Sequence, residues 1–111
     1  MKGRHLGEFE ELVLLAVCIL DGEAYGVRVR KEIEQQAGRF VTLGAIHATL
    51  YRLQDKGFLT SSLGGATEKR GGRRRRLFRI TNAGVEVLRA GRDVRETMWS
   101  LIPPTLDPRL T

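Results

Sequence analysis

Apolar residues recur at helical spacing along four stretches of the chain, and they alternate with polar residues between the third and fourth stretches. Nearly every residue from 9 to 20 is apolar after an acidic start, which predicts a first helix that is buried on most of its sides. Cys18 lies within this run and is interpreted as a small core residue. A second helix is predicted over residues 25–36, where apolar residues are spaced four positions apart with charged residues between them.

The third helix, predicted between Thr42 and Gly57, has the clearest signals at both of its ends. The hydroxyl of Thr42 can accept a hydrogen bond from an amide that a helix start leaves unpaired. Gly57 has no β-carbon, so it suits the left-handed conformation that often follows a helix. Between these ends, Ile46, Leu50 and Leu53 form a narrow apolar stripe, and the opposite face carries small, polar and aromatic residues.

A β-hairpin and a last helix are predicted after the third helix. Residues 58–63 and 75–80 are rich in β-prone residues without helical periodicity, and a glycine-rich loop joins them. Thr81 is a suitable N-cap for a last helix over residues 82–101, which Pro103 and Pro104 would end. The predicted fold is mainly α with a small β-hairpin (α+β), in the order of a winged helix-turn-helix domain followed by a long C-terminal helix.

The positive charge of the chain is concentrated in the predicted hairpin. The chain of 111 residues has 19 basic and 13 acidic residues and a net charge of +6. Seven of the basic residues fall between Lys69 and Arg79 with no acid among them, so the rest of the chain has a charge of about −1. Such a local excess is typical of a phosphate contact, while a disordered solvated tract or a localisation signal stays open as the alternative.

These elements predict a DNA-binding surface made of the third helix, the start of the second helix and the hairpin. The last helix of a helix-turn-helix pair enters the major groove, and a basic hairpin beside it contacts phosphates. For Tyr25, packing on the core is an equally good interpretation, and strand alternation implies that not all of the hairpin arginines face DNA. The predicted DNA-binding residues are Tyr25, Thr42, Gly44, His47, Ala48, Tyr51, Arg52, Lys69, Arg70, Arg73, Arg74, Arg75 and Arg76.

The second half of the last helix has an apolar stripe with little left to pack against in so short a chain. An exposed apolar stripe usually marks a partner surface, and a second copy of the chain is the simplest partner. We therefore predict a winged helix-turn-helix domain over residues 1–81, a dimerisation helix over 82–104 and a flexible tail over 105–111. The residues predicted for the homodimer interface are Val94, Met98, Trp99, Leu101 and Ile102.

The composition argues against several other classes of protein. No apolar run is long enough to cross a bilayer, and the first residues lack a signal-peptide pattern, so a cytoplasmic protein without membrane contact is expected. One cysteine rules out an intramolecular disulfide, and two isolated histidines are too few for a metal site. No convergent set of catalytic side chains is present, so neither an enzymatic activity nor a cofactor is expected.

The order of these elements and several motifs resemble PadR-type winged-helix transcriptional regulators over roughly residues 9–101. The length is similar to that of the short-chain subgroup, whose members have a single C-terminal helix. One departure is His47, where the family often has tyrosine, so its contact with DNA stays open. The motifs are Tyr-Gly at 25–26, Thr-Leu-Gly-Ala-Ile at 42–46, Leu-Tyr-Arg-Leu at 50–53, Lys-Gly-Phe-Leu at 56–59 and a basic strand that runs into Thr-x-x-Gly at 81–84.

The resemblance implies a bacterial homodimeric regulator, commonly a repressor, that binds double-stranded DNA. Two copies of the third helix would meet successive major grooves, so the operator is expected to be an inverted repeat with half-sites about one helical turn apart. Part of the short-chain subgroup senses flat aromatic drugs with a tryptophan of the last helix, which implies a small-molecule effector at Trp99. An aromatic anchor of the dimer is the alternative role of Trp99, and a non-specific nucleic-acid-binding structural protein is the alternative function.

Overall fold

The chain folds into four α-helices and one β-hairpin, as the computed structural model shows for residues 5–64, 75–106 and 108–110. Every predicted helix and strand is present, and each of its ends lies within one residue of the predicted end, so the α+β fold is confirmed. The unpredicted element is a short 3₁₀ helix inside the expected tail. The elements are α1 (Glu8–Ile19), α2 (Gly26–Ala37), α3 (Leu43–Asp55), β1 (Leu59–Leu63), β2 (Arg76–Ile80), α4 (Asn82–Ser100) and the 3₁₀ helix (Pro108–Leu110).

Helices α1, α2 and α3 pack around one apolar core, which the hairpin closes on one side. The predicted stripe of the third helix is confirmed, because Ile46, Leu50 and Leu53 have no exposed surface. Phe78 brings β2 into the same core. The largest side chains that are buried almost completely are Phe78, Leu14, Ile46, Leu50, Leu53, Leu59, Val13 and Val29.

Helix α1 is not buried on most of its sides, so that prediction is wrong. One face packs into the core, but Leu15 and Ile19 on the other face are 41% and 58% exposed. Cys18 lies on this open face and is exposed, so its assignment to the core is wrong too. The physical reason is that a helix with apolar residues all round has more apolar surface than one layer of neighbouring helices covers.

The hairpin is held against the helices by backbone hydrogen bonds as well as by Phe78. β1 and β2 pair in antiparallel register with Leu59 opposite Ile80. The backbone N–H of Phe78 also donates to the carbonyl oxygen of Ala24 at 2.9 Å, so β2 is joined to the segment between α1 and α2. This hairpin, the wing, is therefore fixed to the core through Phe78 in the middle of β2.

Helix termini carry the predicted caps. The hydroxyl of Thr42 accepts a hydrogen bond from the backbone N–H three residues later at 3.1 Å, and Gly57 is left-handed with φ +85°. The hydroxyl of Thr81 accepts from the N–H of Gly84 at 3.0 Å and donates to the carbonyl oxygen of Gly57 at 2.7 Å. Gly84 packs against the carbonyl of Phe58 with no room for a β-carbon, which explains the Thr-x-x-Gly pattern.

Helix α4 extends away from the core. Gly84 is its one buried residue, and Val94, Met98 and Leu101 are 59%, 65% and 73% exposed. The radius of gyration is 16.6 Å, against about 13 Å for a compact domain of about 100 residues, and the longest dimension is 61 Å. The apolar stripe is therefore open in a single chain, while its use as an interface and the three segment boundaries stay predictions.

Candidate nucleic-acid interface

One face of α3 is exposed along its whole length and faces away from the core. Its residues are spaced three or four positions apart, which places their side chains on one side of the helix. The opposite side is buried, so α3 cannot turn this face inward without exposing core residues. This surface, the reader face, consists of Gly44, His47, Ala48, Tyr51 and Arg52, all of which are exposed.

Two side chains of the reader face are packed against neighbouring elements. The ring of Tyr51 meets the ring of Phe78 edge to face, with centroids 5.7 Å apart, and so joins α3 to the wing. The imidazole of His47 lies directly over Gly26 at the start of α2, where a β-carbon would overlap with the ring. Both aromatic side chains are therefore held in place from behind while they stay accessible to solvent.

The start of α2 lies beside the wing, and its first-turn amides have no hydrogen-bond partner within the helix. Its N-cap residue, Tyr25, makes no side-chain capping bond, and no acidic residue lies in the first turn. The guanidinium carbon of Arg75 is 4.4 Å from the centroid of the Tyr25 ring, which is a cation–π contact. Amides at a helix start attract anions, and Arg75 adds a positive charge at the same place. The structure thus puts the predicted Tyr25 and Arg75 side by side.

The described part of the wing contains two of the predicted basic residues. Arg75 is exposed, whereas Arg76 is half-buried and donates a hydrogen bond to the hydroxyl of Ser61 at 3.0 Å. The same hydroxyl donates to the side-chain oxygen of Gln54 on α3 at 2.5 Å, so Arg76 braces the wing against α3. The other four predicted residues of the loop, Lys69, Arg70, Arg73 and Arg74, lie outside the described residues.

Sequence reasoning missed a buried carboxylate behind the reader face, that of Glu10 on α1. Its two oxygens lie 2.9 and 3.0 Å from the ammonium nitrogen of Lys56, and one accepts the N–H of Gly7 at 2.9 Å. The guanidinium of Arg52 is 3.7 Å from the same carboxylate. Glu10 therefore joins the start of α1 to the C-terminal end of the reader face.

The charges around Glu10 set its protonation state. Burial alone would raise the pKa of this carboxyl, but the Gly7 hydrogen bond and the positive charges of Lys56 and Arg52 outweigh it and hold the pKa below 4.5. From the sequence, the helix dipole alone explains the acidic start of α1. The overlooked signal is spacing, because Glu10 precedes the core residues Val13 and Leu14 by three and four positions.

Comparison with known proteins decides the family. Residues 14–90 match the family described as the transcriptional regulator PadR-like family. This stretch is more than half of the chain. The protein belongs to the PadR-like family of transcriptional regulators. Its members are regulators of transcription and not enzymes. Among the curated protein sequences compared with this chain, none is similar enough to count as a match.

Solved structures share the fold. A PadR family transcriptional regulator from Eggerthella lenta is 24% identical with a TM-score of 0.66, and the alignment covers 90% of this chain and 87% of that one. A PadR family regulator from Clostridium difficile is 24% identical with a TM-score of 0.60 over 90% and 98% of the two chains. A transcriptional regulator from Clostridium thermocellum is 21% identical with a TM-score of 0.65 over 84% and 87%.

A second candidate site in this PadR-like chain is an open groove of about 580 Å³ between α1 and α4. Leu15, Leu88 and Trp99 give it an apolar lining, and charged residues of α4 also border it. Cys18 lies in the groove, and partial burial together with the negative charge of Asp21 raises the pKa of its thiol, so the thiol stays protonated at neutral pH. The resemblance had implied an effector contact at Trp99, but sequence reasoning missed the α1 side of this groove, because it assigned the α1 residues to the core.

Other kinds of site lack support in the described parts of the chain. Within them, no group of histidine, cysteine, aspartate and glutamate is arranged to hold a metal ion. No helix among residues 5–64, 75–106 and 108–110 is long and apolar enough to cross a membrane.

Proposed function

We propose that this PadR-like regulator is a repressor that binds an inverted-repeat operator as a homodimer and is released by a small aromatic ligand. The observation that carries the proposal is the reader face, which is exposed along α3 while the other side of α3 is buried. A wing lies directly beside it. This is the arrangement in which a helix enters the major groove and a hairpin contacts the flanking backbone.

The side chains of the reader face suit close approach to base edges. Gly44 and Ala48 are small and let the backbone of α3 come near the floor of the groove. Arg52 offers a planar set of donors of the kind that pairs with guanine. The hydroxyl of Thr42 is occupied as the N-cap of α3. We therefore expect the backbone at the exposed start of α3, and not this hydroxyl, to contact DNA.

The start of α2 and the wing supply contacts to phosphates. The first-turn amides of α2, which follow Tyr25, and the stacked guanidinium of Arg75 form one positively polarised surface. We assign Lys69, Arg70, Arg73 and Arg74 of the wing loop to the same role, on the basis of their charge in the sequence. Such contacts raise affinity for every sequence and fix the register of the reader face.

Dimerisation is supported by the amount of apolar surface that one chain leaves open. The stripe of α4 includes Val94, Met98 and Leu101, and the open face of α1 adds Leu15 and Ile19. Monomeric proteins rarely expose contiguous apolar surface of this kind. A twofold symmetric pair would present two reader faces, which is the reason for expecting an inverted repeat in the operator.

The test of operator binding is selection from a pool of random DNA duplexes with the purified full chain. An inverted repeat with half-sites about one helical turn apart, bound by two chains, is the expected result. Sedimentation of the complex gives the number of chains. Selection of no common sequence would favour the alternative, a non-specific nucleic-acid-binding protein. A selected single half-site bound by one chain would contradict the homodimeric part of the proposal.

The proposed effector site is the groove that contains Trp99. This residue is the only tryptophan of the chain, so fluorescence excited at wavelengths that tyrosine does not absorb reports on it alone. A planar aromatic anion such as pyrenesulfonate, which duplex DNA repels, is expected to quench this fluorescence and to lower affinity for the selected operator. Quenching without a change in affinity would mean that binding in the groove is not coupled to DNA release.

A further inference from the structure

Glu10 is the one buried charged side chain among the described residues, with 8% of its surface exposed. It belongs to α1, yet its side-chain partners are Arg52 of α3 and Lys56, the residue that caps the C-terminal end of α3. Lys56 is 46 residues away along the chain, so the pair is a tertiary contact and does more than stabilise the start of α1. Burying a carboxylate costs free energy unless it is paired. The carboxylate of Glu10 is therefore held towards its positively charged partners.

The neighbouring carboxylates show what is particular to Glu10. Glu8 pairs with Arg39 at 2.9 Å, and Glu11 pairs with Arg95 of α4 at 3.0 Å. Both side chains of the Glu8–Arg39 pair are exposed, so the pair contributes little to the stability of the fold. The side chains of Glu10 and Lys56 are only 10% and 25% exposed. Of the acidic residues in the first turn of α1, only Glu10 contacts a residue of the reader face.

The contact between Glu10 and Arg52 limits the directions from which the Arg52 guanidinium can approach DNA. The side chain of Arg52 is long and 54% exposed, so without a partner it would sample many rotamers. Glu10 lies 3.7 Å from its guanidinium and is itself fixed by Lys56 and by the N–H of Gly7. A fixed carboxylate beneath a solvent-exposed guanidinium restricts the direction of that guanidinium and reduces the entropy lost when it binds a base.

We propose that Glu10 is a positioning residue for DNA recognition, which fixes the C-terminal turn of α3 through Lys56 and sets the direction of Arg52. Glu10 does not touch DNA in this account, and it acts through Arg52. The proposal rests on the proposed function, because it assumes that the reader face distinguishes one DNA sequence from another.

The test is a double-mutant cycle on the preference for DNA sequence. The preference is the ratio of affinities for the duplex selected by the wild-type protein and for a scrambled duplex of equal length. Glu10→Gln is expected to lower this ratio about tenfold, the size expected when one directed side-chain contact is lost. In the Arg52→Ala background, Glu10→Gln is expected to cause no further loss, because its effect passes through Arg52.

Glu8→Gln is the matched control, because it removes the same charge from the same turn of α1. It is expected to leave the ratio unchanged within about twofold, in line with the small energy of exposed ion pairs. Equal losses from Glu10→Gln in both backgrounds would overturn the proposal, since they would show a general structural role. No loss in the wild-type background would also overturn it.

A second readout separates this proposal from the proposed function. Hydrogen exchange of the free protein is measured for the segment 50–58, and Glu10→Gln is expected to speed exchange there while Glu8→Gln does not. If the wild-type protein selects no DNA sequence, the proposed function fails. Unchanged hydrogen exchange in Glu10→Gln would overturn the positioning role, whatever the result of the selection. If Glu10→Gln does not fold, Glu10→Asp replaces it, since it keeps the charge and shortens the reach by one methylene group.

Discussion

At the scale of residues, two of the contacts behind the reader face of the candidate interface come from residues far away along the chain. Glu10 and Lys56 fix the end of α3, and the ring of His47 fills the space over Gly26. Neither contact could be predicted from the sequence, because each joins residues that are far apart along the chain. Local signals such as the Thr42 cap were predictable, since capping depends only on residues within one turn.

The stability contributed by Glu10 is expected to depend on pH. The pKa of Glu10 is lower in the folded protein than its ordinary value of 4.5, so the stabilisation is present above that value and is lost as the pH falls through the folded pKa. Urea unfolding should show that Glu10→Gln lowers the free energy of unfolding by about 1–3 kcal/mol at neutral pH and by less at about pH 3. An equal difference at both pH values would contradict the account.

Close packing at Gly26 is expected to appear as coupling with His47. Gly26→Ala should destabilise the wild-type protein by about 1–3 kcal/mol, because the new methyl group overlaps with the imidazole. In the His47→Ala background the same change should be neutral or stabilising, since alanine favours a helix by about 1 kcal/mol over glycine. The free energy of unfolding of the four variants checks this expectation. Equal effects in both backgrounds would contradict the contact.

At the scale of elements, α3 and the wing could be predicted and the surroundings of α1 could not. The apolar stripe of α3 is narrow, so only one face can be buried, and the structure buries it. The apolar run of α1 has no such asymmetry, so its pattern did not reveal that Leu15, Cys18 and Ile19 would stay open. Whether a helix is covered on a second side depends on the other elements, and this information is not local.

The wing is expected to contribute affinity without sequence preference. Arg75→Ala should weaken binding to selected and scrambled duplexes alike, and it should reduce the slope of log affinity against log salt by about one. Lys31→Ala, which removes an exposed positive charge from α2, is the control and should leave the slope unchanged. A change in base preference caused by Arg75→Ala would show that Arg75 reads sequence and would contradict its assignment to phosphate.

At the scale of the whole molecule, the open apolar surface along α4 and α1 is where we propose that a second chain binds. The predicted stripe is exposed in the single chain, and the face of α1 enlarges it. The sequence indicated half of this surface, the half on the C-terminal helix, because that helix extends past the residues that could cover it. The other half became visible only when the packing of α1 was known.

The homodimer is expected to depend on Met98. Met98→Asp should shift sedimentation from dimer to monomer, because it places an unpaired charge in an apolar interface. Asn82→Asp adds the same charge at the opposite, exposed end of α4 and should leave the dimer intact. A dimer that survives Met98→Asp would remove Met98 from the interface, and a monomeric wild-type protein would contradict the homodimer altogether.

The most direct test of the central claim, that the reader face recognises a particular DNA sequence, is a binding titration at two salt concentrations. The purified protein is titrated with DNA from upstream of its own gene and with a shuffled duplex of the same composition. We expect a large preference for the native DNA that persists at the higher salt, because base contacts are less sensitive to salt than phosphate contacts. Equal binding to both duplexes that disappears at the higher salt would contradict it.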